Sequence, residues 1–174
     1  MPTLLIVDDE PNVVYSLKKR LKSDSLDVIT ASTAREGIEM VIERNPDAVL
    51  LDVRLPDMSG LDAFEVIREH DSRLPVIVIT AHATTETAIE AMKRGAFEYL
   101  LKPLDLPELR EIVSRAIHLG SLSRVPAVFG EEGPADAAAD RIVGLSAPMQ
   151  AVYKNIGRVA PQDVNVLILG ESGT

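Results

Sequence analysis

Along the first 120 residues, short apolar runs alternate with longer amphipathic ones. The apolar runs fall at residues 4–7, 28–29, 48–51, 76–79 and 99–101. They are short and rich in Leu, Ile and Val, as strands covered on both faces must be. The intervening segments carry apolar residues at helical spacing. Pro11 suits a first helical turn, and Val13, Val14, Leu17 and Leu21 follow it on one side. Ser32 or Thr33 can cap a second helix, with Glu36 in the capping-box position for Thr33. Ser59 can cap a third, which carries Leu61, Phe64 and Ile67. Thr84 or Thr85 opens a fourth with Ala88, Ile89 and Met92, and Asp105 a fifth with Leu109, Ile112, Val113, Ala116 and Ile117. Five strands alternating with five helices predict an α/β fold: a doubly wound parallel sheet with helices on both faces.

From Gly120 onward the pattern dissolves. The stretch GSLSRVPAVFGEEGPADAAAD has Gly, Pro and small residues without a period, so residues 121–140 read as a linker. Pattern returns at Arg141, with a helix-like run over 146–159, Pro161, and a strand-like VNVLIL from Val164. Residues 1–120 are thus expected to form one domain and residues 141–174 a separate fragment.

Composition narrows the function. The chain has 174 residues, 18 Lys and Arg against 27 Asp and Glu, and a formal net charge of −9. Such an acidic balance opposes nonspecific DNA binding, which needs clustered Lys and Arg. At 46% hydrophobic residues the chain can bury a substantial core. The absence of cysteine excludes disulfides, thiolate metal sites and thiol catalysis, and fits a reducing cytosol. The N-terminus lacks a basic stretch followed by a long apolar run, and no segment reaches the roughly 18 apolar residues of a membrane span. Three Tyr, three Phe and no Trp make an aromatic base-stacking platform a poor reading.

The polar residues at the strand ends carry the chemistry. In an open parallel sheet, functional groups gather beyond the carboxyl ends of the strands. Here the first strand ends in Asp8-Asp9-Glu10, the third in Asp52, the fourth in Thr80 and the fifth in Lys102-Pro103. Convergent carboxylates repel one another, and at least one must take up a proton unless a cation enters. Three carboxylates and one lysine leave a deficit that a divalent cation closes. Oxygen ligands with no His or Cys beside them favour Mg²⁺ or Mn²⁺ over zinc. A carboxylate can act as nucleophile toward phosphorus, with Thr80 and Lys102 meeting the phosphoryl oxygens. The acids of DDEPN stand where a nucleotide- or flavin-binding loop needs N–H and hydroxyl donors, which disfavours that alternative. Glu10 reads as a solvated or capping residue. His70 and His118 have bland readings near helix ends, and His82 follows Thr80 closely enough to influence a phosphoryl group's lifetime.

The segments LLIVDDE, LLDVRLPDMSG around Asp52, VIVITA ending at Thr80-Ala81, and GAFEYLLKPLD around Lys102 together resemble the receiver domain of two-component response regulators. The resemblance implies a flavodoxin-like sheet of strand order 2-1-3-4-5. It implies Asp52 as phosphoacceptor, Mg²⁺ held by Asp9 and Asp52 directly, by Asp8 through water and by the Arg54 backbone carbonyl, and a cis Lys102-Pro103 bond. It makes Thr80 the switch hydroxyl and Tyr99 the switch aromatic, which turns inward as Thr80 is drawn toward the phosphoryl oxygens. The implied partners are a sensor histidine kinase and a second copy docked through helix 4, strand 5 and helix 5, with the linker as a further seam. Cytoplasmic location follows from the same resemblance. A receiver fold that acts as an interaction module without taking phosphate is the alternative.

The tail IVGLSAPMQAVYKNIGRVAPQDVNVLILGESGT resembles the start of the ATPase domain of NtrC-type, sigma-54-dependent activators. Contacts with sigma-54 RNA polymerase and DNA would then belong to domains beyond this sequence. Gly170, Glu171, Ser172, Gly173 and Thr174 would begin a phosphate-binding loop, but the Gly-Lys that completes such a loop is not in the sequence. The expected outcome is that this chain hydrolyses no ATP; turnover above background in a phosphate-release assay would overturn the reading of the tail.

Overall fold

A computed structural model of the chain describes residues 1–81 and 85–123 and the isolated positions 152 and 156. Among these, five strands alternate with five helices: β1 (Thr3–Val7), α1 (Pro11–Leu21), β2 (Asp27–Ala31), α2 (Ala34–Arg44), β3 (Ala48–Asp52), α3 (Gly60–His70), β4 (Val76–Thr80), α4 (Thr85–Lys93), β5 (Glu98–Leu101) and α5 (Leu106–Ser123). The strands form one parallel sheet in the order β2-β1-β3-β4-β5. Both the α/β class and the strand order agree with expectation.

The pleat divides the core. Leu4, Ile6, Leu50, Ile77 and Ile79 face α1 and α5, packing with Leu17, Leu21, Leu109, Ile112 and Ala116. Leu5, Val7, Val49, Leu51 and Val78 face α2, α3 and α4, packing with Val41, Phe64, Ile67 and Met92. Because the central strands β1, β3 and β4 are buried on both faces, their hydrophobic runs are continuous and do not alternate, whereas the edge strand β2 is only partly buried. The register pairs Val7 with Leu51, Leu51 with Val78, and Thr80 with Leu101. The carboxyl ends of four strands therefore lie level, and the residues just past them share one edge.

Helix starts follow the sequence with one twist. Thr33 caps α2 by accepting the Glu36 N–H, as expected. The Glu36 carboxylate, however, accepts the N–H of Ser32 at 2.7 Å, one residue upstream of the box position. Ser59 accepts the Leu61 N–H and Asp105 the Glu108 N–H. Pro11 is the first residue of α1, and Glu10 is its N-cap by position but makes no capping hydrogen bond. Asn45 closes α2 in the left-handed conformation. α5 continues as helix to Ser123, three residues past the expected start of the linker. The rest of that linker, Thr84, His82 and the residues 170–174 lie outside the described residues.

Two features of the β3–α3 segment escaped the sequence reading. Asp57 accepts the N–H groups of Ala34 and Arg35, both at 2.9 Å, and so caps α2 from a distance in sequence. Gly60 lets α3 start against the end of β3: a Cβ there would lie 1.9 Å from the Asp52 carbonyl oxygen. A backbone contact of that kind has no side-chain route to relief. Gly60→Ala is expected to cost about 1–3 kcal/mol of stability in a denaturant titration, by forcing the backbone around Asp52 to shift. An unchanged midpoint would contradict the close approach.

Candidate functional site

The site begins with four strand ends held level by the sheet. Asp8 follows β1, Asp52 and Thr80 are the last residues of β3 and β4, and Lys102 follows β5. Asp8, Asp52 and Thr80 are buried. The Lys102 N–H donates to the Thr80 carbonyl at 2.8 Å, which extends the ladder one step and fixes where the lysine side chain departs. The Lys102-Pro103 peptide bond is cis, as expected.

Lys102 organises the pocket. Its Nζ lies 2.6 Å from Asp52 Oδ2, 2.8 Å from Asp8 Oδ2 and 2.8 Å from Glu10 Oε1. The side chains are 11% exposed at Lys102, 0% at Asp8, 6% at Asp52 and 56% at Glu10. Burial alone would push the ammonium toward neutrality. Its hydrogen bonds to Asp52 and Glu10 and its close ion pair with Asp8 outweigh it and hold the Lys102 pKa well above the ordinary lysine value. These contacts favour the charged form of Lys102 at neutral pH.

Asp8 has the opposite problem. Burial raises its pKa above the usual 3.8, against the lowering influence of Lys102 and the Glu10 N–H. Oδ1 accepts that N–H at 2.9 Å. Oδ2 is close to Lys102 Nζ, but the angles do not make a hydrogen bond, so this fully buried oxygen has no directed donor. Asp52 Oδ1 accepts the Arg54 N–H at 3.2 Å. One ligand atom each from Asp8, Glu10 and Asp52 lies within 4.8 Å of the others. A donorless buried oxygen within an all-oxygen set fits a hard divalent cation, Mg²⁺ or Mn²⁺.

The structure redistributes the expected acids. Asp9 is exposed and stands outside the group around Lys102. It lines, with Asp52, Arg54, Leu55 and Ala81, an open cleft of about 410 Å³. Glu10 is neither the α1 cap nor merely solvated: it is paired with Lys102. Its sequence position between Asp9 and Pro11 suggested a cap, and nothing in the sequence points to a contact 92 residues away.

Tyr99 is buried in β5 among Ala88, Ala91, Met92 and Ala96. Its hydroxyl shares a hydrogen bond of 3.2 Å with the Thr87 hydroxyl on α4, and burial raises its pKa. The small side chains of α4 leave room for the ring in this inward position. On α5, packing on the sheet takes Leu109, Ile112 and Ala116, while Leu119 at the same helical spacing is 48% exposed. Glu98 at the start of β5 is buried, accepts the Tyr99 N–H and faces Arg115 at 3.9 Å, away from the site. Among the described residues no helix is long and apolar enough to cross a membrane.

Residues 4–114 match the response regulator receiver domain model, and the chain belongs to that family. It is 42% identical over 170 residues to the response regulator protein PilR of Pseudomonas aeruginosa, covering 98% of this chain and 36% of PilR. The chain spans little more than a third of the length of the curated relatives it matches. Among solved structures, the signal receiver domain of a putative Luxo repressor protein from Vibrio parahaemolyticus superposes with a TM-score of 0.68 at 29% identity, over 71% of this chain and 95% of that one. The response regulator protein TrrA from Thermotoga maritima, in complex with Mg²⁺ and BeF, gives 0.61 at 31% identity, over 67% and 99%.

The electrostatics yield a test. An acid whose folded pKa is raised weakens the fold where it is ionised. That loss sets in as pH rises through the window between 3.8 and the raised value. In metal-free protein at neutral pH, Asp8→Asn is expected to raise the melting temperature by a few degrees, with the gain shrinking as pH falls through that window. The same substitution should diminish the stabilisation that millimolar Mg²⁺ gives. A lower melting temperature in metal-free buffer would show that Asp8 is not electrostatically strained.

Proposed function

We propose that this chain is a phosphoacceptor: it takes a phosphoryl group from a sensor histidine kinase onto Asp52. The observation that carries this is the setting of the Asp52 carboxylate. It stands at the end of β3, open to the cleft, with one oxygen on Lys102 and the other on the Arg54 N–H. Both partners orient the carboxylate without burying it out of reach of a donor. An Asp52 oxygen attacks phosphorus, the bond from phosphorus to the donor nitrogen breaks, and the histidine leaves with its electron pair. The product is an acyl phosphate.

Asp8, Asp9, Asp52 and the Arg54 carbonyl would hold Mg²⁺, or Mn²⁺. The ion supplies charge neutralisation for the transferring phosphoryl oxygens. Lys102 offers a second positive charge to the same oxygens, and Thr80 a hydroxyl. The TrrA complex with Mg²⁺ and BeF, a phosphoryl mimic, supports this use of the shared architecture.

The output runs through β5. Phosphorylation adds about two negative charges and draws Thr80 toward them, which favours one packing of Tyr99 against α4. The surface of α4, β5 and α5 is then the one that assembles with a second copy, with the exposed Leu119 as part of the seam toward the linker. Similarity that extends over 98% of the chain, beyond the receiver match, supports reading residues 141–174 as the beginning of the ATPase domain of a sigma-54-dependent activator. Polymerase and DNA contacts would lie in the remainder, and the whole would work in the cytoplasm.

The test is covalent labelling by acetyl phosphate. The wild-type chain is expected to be labelled only with Mg²⁺ or Mn²⁺ present, and Asp52→Asn to lose at least about nine-tenths of the label, as removal of a sole nucleophile requires. Equal labelling of the two proteins would overturn the assignment.

A further inference from the structure

The proposed phosphotransfer assigns Glu10 no role, although its carboxylate lies in the same acidic group as Asp8 and Asp52. Its carboxylate is the third contact of the Lys102 ammonium, at 2.8 Å, and it reaches there from the rim of the pocket. Glu10 occupies the N-cap position of α1 but does not cap it, so the helix gives the side chain no other employment. Its backbone is fixed twice: the N–H donates to Asp8 Oδ1, and the carbonyl accepts the Val14 N–H. The side chain is thus launched from a rigid point toward one target.

Three carboxylates on one ammonium is more than charge balance requires. Asp8 and Asp52 are buried and cannot turn to water, whereas Glu10 is 56% exposed and could be solvated at little cost. Its contact with Lys102 therefore reflects attraction between the two groups, since Glu10 at the rim has water as an alternative and the Asp52 carboxylate, though it borders the cleft, is far less exposed. When Asp52 carries a phosphoryl group, the new oxygens lie beyond the original carboxylate and the ammonium must follow them. Glu10 then competes for the same cation.

We propose that Glu10 is a positioning residue that restrains Lys102 in the unphosphorylated pocket and must release it when Asp52 is phosphorylated. The inference rests on Asp52 being the phosphoacceptor. Glu10 sets how readily the loaded arrangement forms, and the restraint operates on the lysine and not on the metal. It also makes a prediction of unusual sign: removing an active-site carboxylate improves binding of the phosphoryl mimic.

The test titrates beryllofluoride into the 174-residue chain at saturating Mg²⁺, followed by fluorine NMR, with Mg²⁺ affinity measured separately by calorimetry. Glu10→Gln is expected to lower the beryllofluoride half-saturation by about two- to five-fold, the size a half-exposed ion pair supports. Mg²⁺ affinity should fall by a similar factor, because a nearby negative charge is gone. Glu10→Asp keeps that charge but shortens the reach. It should bind Mg²⁺ as wild type does and still show the improved beryllofluoride half-saturation. Loss of a merely structural contact would lower the melting temperature without tightening mimic binding. A half-saturation in Glu10→Gln that is unchanged or weaker overturns the proposal, and so does an improvement in Glu10→Gln that Glu10→Asp does not share. If the unsubstituted chain itself binds no beryllofluoride, the Asp52 reading has failed and this one falls with it.

Discussion

One buried ammonium makes this pocket possible. Two fully or nearly buried carboxylates sit within hydrogen-bonding distance of the same point, an arrangement that like-charge repulsion and desolvation both oppose. Lys102 resolves most of that conflict and leaves a remainder, visible in the raised pKa of Asp8 and in its oxygen with no donor. The remainder is useful. A pocket neutralised completely by protein groups would have no electrostatic reason to take up an ion or to respond to an incoming phosphoryl group.

The sheet makes the convergence reproducible. Parallel strands in register end level, so a residue placed one step past each end arrives at the same edge whatever the loops do. The loops then need only to avoid the pocket. Gly60 does this for the β3–α3 turn, bringing the helix within contact of the Asp52 carbonyl where a side chain could not fit. Tyr99 links this edge to the outer surface. One residue from the buried Glu98 and two from the exposed Leu101, it places a hydroxyl under α4 while its strand runs on toward Lys102.

Much of this was legible in the sequence because it depends on local signals. Continuous apolar runs of two to four residues marked the strands, helical spacing marked the faces, and strand-terminal polar residues pointed to Asp8, Asp52, Thr80 and Lys102. What the sequence hid are contacts whose partners are remote. Glu10 looked like a cap because its neighbours favour a helix start, yet its partner is on another strand end. Asp57 carried no signal of its own in the sequence, yet it accepts from the first two amides of α2. The Glu36 capping contact differed by a single residue, a difference of local geometry that residue type does not encode. On α5 burial separates positions that share a helical spacing: Leu109, Ile112 and Ala116 belong to the core and Leu119 to the surface.

The pair of hydrogen bonds that Asp57 accepts from Ala34 and Arg35 has a further consequence. The segment between β3 and α3 is anchored near its middle to the start of α2, which packs beside α3, and at its end by the Gly60 N–H on the Val53 carbonyl. It behaves as a short strap and not as a free loop. Hydrogen bonds from the Arg35 and Ala34 amides hold the Asp57 carboxyl below the ordinary carboxylate range. The contribution of these two bonds is thus present at neutral pH and is lost only in acid, as pH falls through that lowered value. Around neutrality the rim of the cleft beside Asp52 keeps this tie to α2.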